Sequence, residues 1–175
     1  ELVVLAVLSA LAVASRAAFA AIPHFKPMTA IIMITGLAFG PEAGFLTGAV
    51  SGFVSNFLFG QGPWTPWQMF AYGVGGFLAG LLSRLGVLKR NRIALTLFGF
   101  FTVLVIVGPL LDTCALLTMT GEITVSSARA VYLSGIPVNL IHGAAAGLTM
   151  LLFANPLLYK LDRLRVKYGM LEGGQ

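Results

Sequence analysis

The chain is 175 residues long, 58% hydrophobic and only 10% charged, with a formal net charge of +5 and a mean hydropathy of +0.93. Soluble domains carry about 25% charged residues, so this composition excludes a solvated surface all round and leaves an all-α bundle embedded in a lipid bilayer. The length holds one domain over residues 1–175, and the lone cysteine, Cys114, excludes an internal disulfide framework.

The first apolar run covers about 2–19. Small residues at Ala17, Ala18, Ala20 and Ala21 imitate a signal-peptide cleavage site, but no basic region precedes the run, so a transmembrane helix is expected. Because the chain starts at Glu1 rather than Met, residues are expected to precede it. Pro23 and Pro27 disfavour helix around themselves and mark a loop at 21–27. A second apolar run, 28–39, is too short to cross a ~30 Å core at ~1.5 Å per residue unless it starts earlier, tilts or is shielded by neighbours. Further spans are expected at about 43–59, 66–85, 93–119 and 126–158, with bends at Gly108-Pro109 and Pro137. The tail at 159–167 alternates Lys160, Arg163, Arg165 and Lys167 with Leu161, Leu164 and Val166, a pattern that fits a separate interfacial helix.

Eight of the eleven Lys and Arg residues lie in two clusters. Arg84, Lys89, Arg90 and Arg92 follow the fourth span, and the four basic residues of the tail follow the sixth. Positive loops stay in the cytoplasm, so six transmembrane helices with both termini cytoplasmic are expected. The connections carrying Lys26, Trp64 and Glu122 then face outward.

Residues 60–69 place both tryptophans, Trp64 and Trp67, with Gln61, Gln68, two glycines and two prolines in one connection. Flat rings, amides and a stiffened backbone suit capture of a large planar polar ligand. An aromatic belt at the headgroup level is the competing reading. Arg16, Lys26 and Arg129 add positive charge on the same side, where only Glu122 is acidic, so carboxylate, phosphate or amide-rich ligands are attracted there; snorkelling or pairing with Glu122 explains each residue equally well. Asp112, Asn139 and His142 follow the two proline breaks and fit interhelical hydrogen bonding.

Catalytic and metal-binding patterns are missing: there is no His-Glu-x-x-His, no Gly-x-Ser-x-Gly, no P-loop and no carboxylate pair, and neither His24 nor His142 has a neighbour at ligand spacing. No enzyme activity and no bound metal are expected, and any ATP-driven step must come from another polypeptide. Ala6, Ala10 and Ala14 recur every four residues and put small side chains on one face of the first span, as Gly73, Gly76 and Gly80 do on the fourth. Such faces admit another helix closely, whether from this bundle or from a partner.

The Ala-x-x-x-Ala spacing, the proline-rich loop after it, the run Gly-Pro-Glu-Ala-Gly-Phe-Leu-Thr-Gly-Ala-Val-Ser-Gly-Phe-Val-Ser-Asn-Phe from Gly40 to Phe57, and the Gly-Gln-Gly-Pro-Trp-Thr-Pro-Trp segment occur in that order. Together they resemble the substrate-binding S components of energy-coupling-factor (ECF) vitamin transporters, most closely the cobalamin-type members. The resemblance covers nearly the whole chain. It implies a vitamin-binding subunit of an ABC importer in the bacterial cell membrane that captures its ligand at the outer face and delivers it inward. The implied partners are a membrane scaffold (T) subunit and two cytoplasmic ATPase subunits; no nucleic acid is expected, and the bound vitamin is substrate, not a cofactor of the chain. Carried onto this sequence, the ligand-binding loops and their flanks contain Phe25, Lys26, Gln61, Trp64, Trp67, Gln68 and Arg129, with Arg16, Asn56, Tyr132 and Asn139 completing the expected ligand set, and Ala6, Ala10 and Ala14 form the surface that docks on the scaffold. Cobalamin or a related corrinoid is the favoured ligand. Riboflavin or another vitamin is the nearest alternative, and a self-sufficient permease or a membrane assembly protein lies outside the family.

Overall fold

The structure, a computed structural model, describes residues 2–169. Among these, six helices occur and no strand: α1 Leu2–Ala18, α2 Met28–Phe39, α3 Pro41–Phe59, α4 Thr65–Arg84, α5 Arg92–Met119 and α6 Val125–Lys167. Their boundaries follow local chemistry. Gly40, at φ +99, closes α2 by donating its N–H to the Gly36 carbonyl at 2.9 Å, and Pro41 opens α3 where a missing N–H costs nothing. Asn91 caps α5 by accepting from the Ala94 N–H at 2.7 Å. Thr124 and Ser127 cap α6 reciprocally, a box worth about 1 kcal/mol.

All twelve residues of α2 are buried. Neighbours on every side, α1, α3, α4 and α6, shield the short helix, so its length need not match a bilayer. The closest approach in the bundle is made without side chains. A Cβ on Gly76 of α4 would sit 2.6 Å from the Gly44 carbonyl carbon of α3 and 2.8 Å from Ile32 of α2. Gly73 and Gly80 face Phe45 and Pro41 in the same way, so the small face of α4 serves internal packing. On α1 the pattern is reversed: Leu8, Ala12 and Val13 are buried, while Ala6, Ala10 and Ala14 point outward together with Val3, Val7 and Leu11.

In α5, residues Val103–Val107 form a π turn in which the Gly108 N–H reaches back five residues to Val103. Pro109 follows at once; its ring would press on the Val105 carbonyl in a regular helix, and the widened turn gives it room. The sixth helix departs from the sequence expectation. It does not stop near residue 158 with a separate tail helix but runs unbroken to Lys167, through both Pro137 and Pro156. The tail continues helical because its apolar residues still have something to cover: Leu158 and Leu161 pack into the core beneath α2 and α5.

Arg90, in the α4–α5 connection, pairs with Asp162 of α6 at 3.0 Å and donates to the Leu37 carbonyl near the end of α2. The two basic clusters therefore share one end of the bundle, and alternation of the six helices brings the start of α1 and the end of α6 there as well. Arg16, the 19–27 connection and the 60–64 connection occupy the opposite end. Two helices, α5 and α6, are long and apolar enough to cross a membrane. Leu46, Val50, Phe53 and Phe57 on α3 and Ile93, Leu97, Phe101 and Val105 on α5 are exposed; apolar surface on this scale is what a lipid-facing protein presents.

Candidate functional site

The end of the bundle opposite the basic clusters carries a connected polar network. Arg16, in the last turn of α1, is only 7% exposed. Its Nη1 donates to Ser55 Oγ at 2.6 Å and to Asn56 Oδ1 at 3.1 Å on α3, and the guanidinium lies 4.5 Å from the Phe59 ring centroid. Asn56 passes the network on, donating from Nδ2 to Thr65 Oγ1 at 3.0 Å and to Gln68 Oε1 at 2.8 Å at the start of α4. Thr65 donates to Gln61 Oε1 at 2.9 Å, and Gln61 donates to the Phe53 carbonyl at 3.1 Å. Three helices and the tryptophan-bearing connection are thus tied through one buried cation whose partners are neutral oxygens. Charge-assisted bonds of this kind are about twice as strong as neutral ones.

Beside the network lies a narrow cleft, partly open to the outside. Lys26 and Thr29, Tyr72 of α4, Val103 and Val107 of the π turn, and His142 of α6 form most of its wall. Burial, and after it the neighbouring Arg16 charge, pull the Lys26 ammonium from its ordinary 10.5 down to about 8. His24, at φ +61, holds its ring 5.9 Å from that of His142, edge to face. The Tyr72 hydroxyl, His142 Nε2 and Arg16 Nε are buried and find no hydrogen-bond partner among the described residues.

The sequence-derived candidates divide in space. Arg16, Asn56, Gln61 and Gln68 meet in the network, and Lys26 lines the cleft beside it. Phe25 stacks obliquely on Phe19, ring centroids 5.4 Å apart. Trp64 is folded over its own connection, its Nε1 donating to the Gly60 carbonyl at 3.4 Å and its ring packed on Gly62. Trp67 is half-buried at the first turn of α4. The other three sit elsewhere. Arg129 is exposed near the start of α6, Tyr132 shares a 2.7 Å hydrogen bond with Thr113, and Asn139 donates to Asp112 at 2.7 Å, so the last two join α6 to α5. Ser55, Thr65, Thr29 and Tyr72 were not singled out from sequence. Tyr72 carried a usable signal, being the one large polar ring beside Gly73, Gly75 and Gly76 on an inward-facing glycine stripe.

A UPF0397 protein of Vibrio atlanticus (strain LGP32) is 29% identical over 85 residues, covering 47% of this chain and 46% of the relative. Another from Aliivibrio salmonicida (strain LFI1238) is 32% identical over 88 residues, covering 47% and 46%, and one from Aliivibrio fischeri (strain MJ11) is 32% identical over 73 residues, covering 42% and 38%. The chain thus spans about half the length of the curated relatives it matches. No solved structure matches it. A family model described as "ECF-type riboflavin transporter, S component" matches residues 1–160. The cobalamin-type grouping expected from sequence is not the one returned. With the match running over nearly all of its length, the chain belongs to the family of ECF-type riboflavin transporter S components.

Proposed function

We propose that this chain is the vitamin-capturing subunit of an ECF-type importer and that its ligand, a flat-ring vitamin of the riboflavin class, enters at the Arg16 end of the bundle. The observation that carries the reading is the concentration of buried polar groups there. The Arg16–Asn56–Gln68 network and the cleft beside Lys26 interrupt an otherwise apolar interior, and unpartnered buried donors are expensive unless something binds them. Arg16, Phe25, Lys26, Asn56, Gln61, Trp64, Trp67 and Gln68 are the proposed ligand residues. Arg129, Tyr132 and Asn139 stand outside this set because α5–α6 contacts already occupy the last two. Riboflavin leads over a corrinoid because the family description names it and because the cleft is narrow. As it stands the cleft is far smaller than the ~300–1,000 Å³ of sites that enclose drug-sized ligands, so it must widen to admit one.

The remaining roles follow. The basic end faces the cytoplasm by the charge rule, the chain crosses the bacterial cell membrane several times, and the outward alanine face of α1 meets the scaffold subunit. Without a P-loop of its own, the chain takes its driving force from partner ATPases. Tryptophan fluorescence of the purified protein, titrated with riboflavin, cobalamin and other vitamins, tests the central claim. Riboflavin is expected to quench Trp64 and Trp67 at sub-micromolar concentration; quenching by cobalamin alone replaces the ligand, and silence across the panel removes the capture role.

A further inference from the structure

We infer that the cleft receives an anionic group of the transported ligand, a carboxylate or phosphate, held among Arg16, His24, Lys26 and His142 with the Thr29 and Tyr72 hydroxyls as neutral donors. This rests on the vitamin-capture reading above and narrows its substrate class.

Four basic side chains converge here from three segments: Arg16 from α1, His24 and Lys26 from the following connection, and His142 from α6. Lys26 and His142 line the cleft directly, and His24 touches His142 ring to ring at 5.9 Å. The Arg16 charge, after burial, lowers the Lys26 pKa. None of the four is in an ion pair among the described residues, where the salt bridges join Asp162 to Arg90 and Arg165 at the far end of the bundle. Holding the Arg16 and Lys26 cations near each other with no acid beside them is unfavourable, and a protein that does so leaves the counter-charge to a ligand.

The neutral groups agree. Tyr72 is 3% exposed, lines the cleft, and its hydroxyl has no partner among the described residues; His142 Nε2 and Arg16 Nε are in the same position. A ring system alone would bury these groups without bonds, at about 1–3 kcal/mol for each donor left unmade. An oxyanion accepts from several at once, and charge-assisted bonds are the strongest available to it. The depressed Lys26 ammonium, near 8, fits the same picture, since an anion bound beside it would restore its charge.

Riboflavin and its 5′-phosphate ester share one ring and differ by the anion, so their affinities for the purified protein in maltoside micelles, read by flavin fluorescence, isolate the group. The ester is expected to bind at least about tenfold more tightly at pH 7, one charge-assisted contact's worth. That preference is expected to collapse in Lys26→Gln and in His24→Asn, the latter at an exposed position whose left-handed backbone asparagine tolerates. Inorganic phosphate provides an arm that needs no vitamin: it should raise the thermal unfolding temperature of the wild type and not that of the variants. Equal affinity for both flavins with no phosphate effect overturns the anion site and leaves the capture role standing. A phosphate effect lost in the variants, with neither flavin bound, keeps the anion site and removes the riboflavin assignment. Stabilisation by added phosphatidylglycerol but not by phosphate assigns the groove to a lipid headgroup and overturns the inference.

Discussion

The Arg16 network makes an asymmetric prediction about its own stability. Asn56→Leu keeps side-chain volume but deletes two bonds to Thr65 and Gln68, worth about 1 kcal/mol each, and one from Arg16, worth about 2. It also leaves a buried guanidinium with Ser55 as its one remaining oxygen partner. The expected loss is about 3–4 kcal/mol. Arg16→Met forfeits the bonds to Ser55 and Asn56 and the Phe59 contact, yet it also removes the cost of keeping a cation out of water, several kcal/mol in itself. Its net loss should stay under about 2 kcal/mol. In the double variant no buried charge remains to be orphaned, so the Asn56 substitution should cost about 2 kcal/mol less than it does alone. Reversible unfolding in mixed micelles, followed by near-ultraviolet circular dichroism, measures all four corners of the cycle. Equal single losses that simply add would mean that Arg16 is hydrated and that the network does not hold α1 to α3 and α4.

Gly76→Ala should destabilise by at least about 2–3 kcal/mol, because backbone and not a movable side chain meets the new methyl; Gly121→Ala, with open space around it, should stay within about 0.5 kcal/mol in the same assay. Lys26→Met should stabilise the free protein at pH 7. The folded-state ammonium is depressed from 10.5 to about 8, equivalent to about 3 kcal/mol at most, so the cost is fully present below pH 8 and disappears as pH rises toward 10.5. The wild-type-minus-variant difference in unfolding free energy should therefore vanish between those two values, and a pH-independent difference contradicts the assignment. Ala10→Trp, on the outward face of α1, should leave thermal stability and vitamin binding intact while abolishing co-purification of scaffold and ATPase subunits. Pro109→Ala should leave the π turn in place, with a stability change under about 1 kcal/mol, because packing of Gly99 on Met150 and of Gly108 on Asn139 fixes the phase of both halves of α5; loss of the turn in a structure of the variant would make the proline its cause.

Much of this architecture was legible because membrane helices announce themselves by length and punctuation. Pro23, Pro27, Gly40-Pro41 and the Gly60–Pro66 run mark connections through backbone chemistry that packing cannot override, and five of the six helices end within two residues of where those signals put them. The exception, α6, failed at its tail: alternating Lys, Arg and Leu look the same whether a helix lies on a surface or continues along a bundle, and the difference is made by α2 and α5, which leave room for Leu158 and Leu161. The polar network and the cleft were legible where charge was out of place, as at Arg16 and Lys26. They were not legible at Ser55, Thr65 and Tyr72, ordinary residues whose role is conferred by the Arg16 guanidinium and the cleft. Tyr132 and Asn139 carried the opposite ambiguity. A polar residue in an apolar helix signals a partner without saying whether it is ligand or helix, and here Thr113 and Asp112 answer to it.

The two ends of the bundle differ in a way that bears on how a ligand could enter. At the basic end Arg90 clamps the α4–α5 connection to both α2 and α6. At the other end, α1, α3 and α4 are bound together by the Arg16 network, and the glycine crossing at Gly44 and Gly76 leaves no slack between α3 and α4. The cleft runs along the seam between this unit with α2, represented by Tyr72 and Thr29, and the α5–α6 pair, represented by Val103, Val107 and His142. Among the described residues no hydrogen bond of the cleft-lining side chains crosses that seam; what meets across it is apolar packing and one edge contact between His24 and His142. Such contacts are short-ranged and undirected, so they separate at lower cost than the directed bonds of the network or the clamp. A widening of the cleft is therefore expected along this seam rather than through the network or the Arg90 contacts.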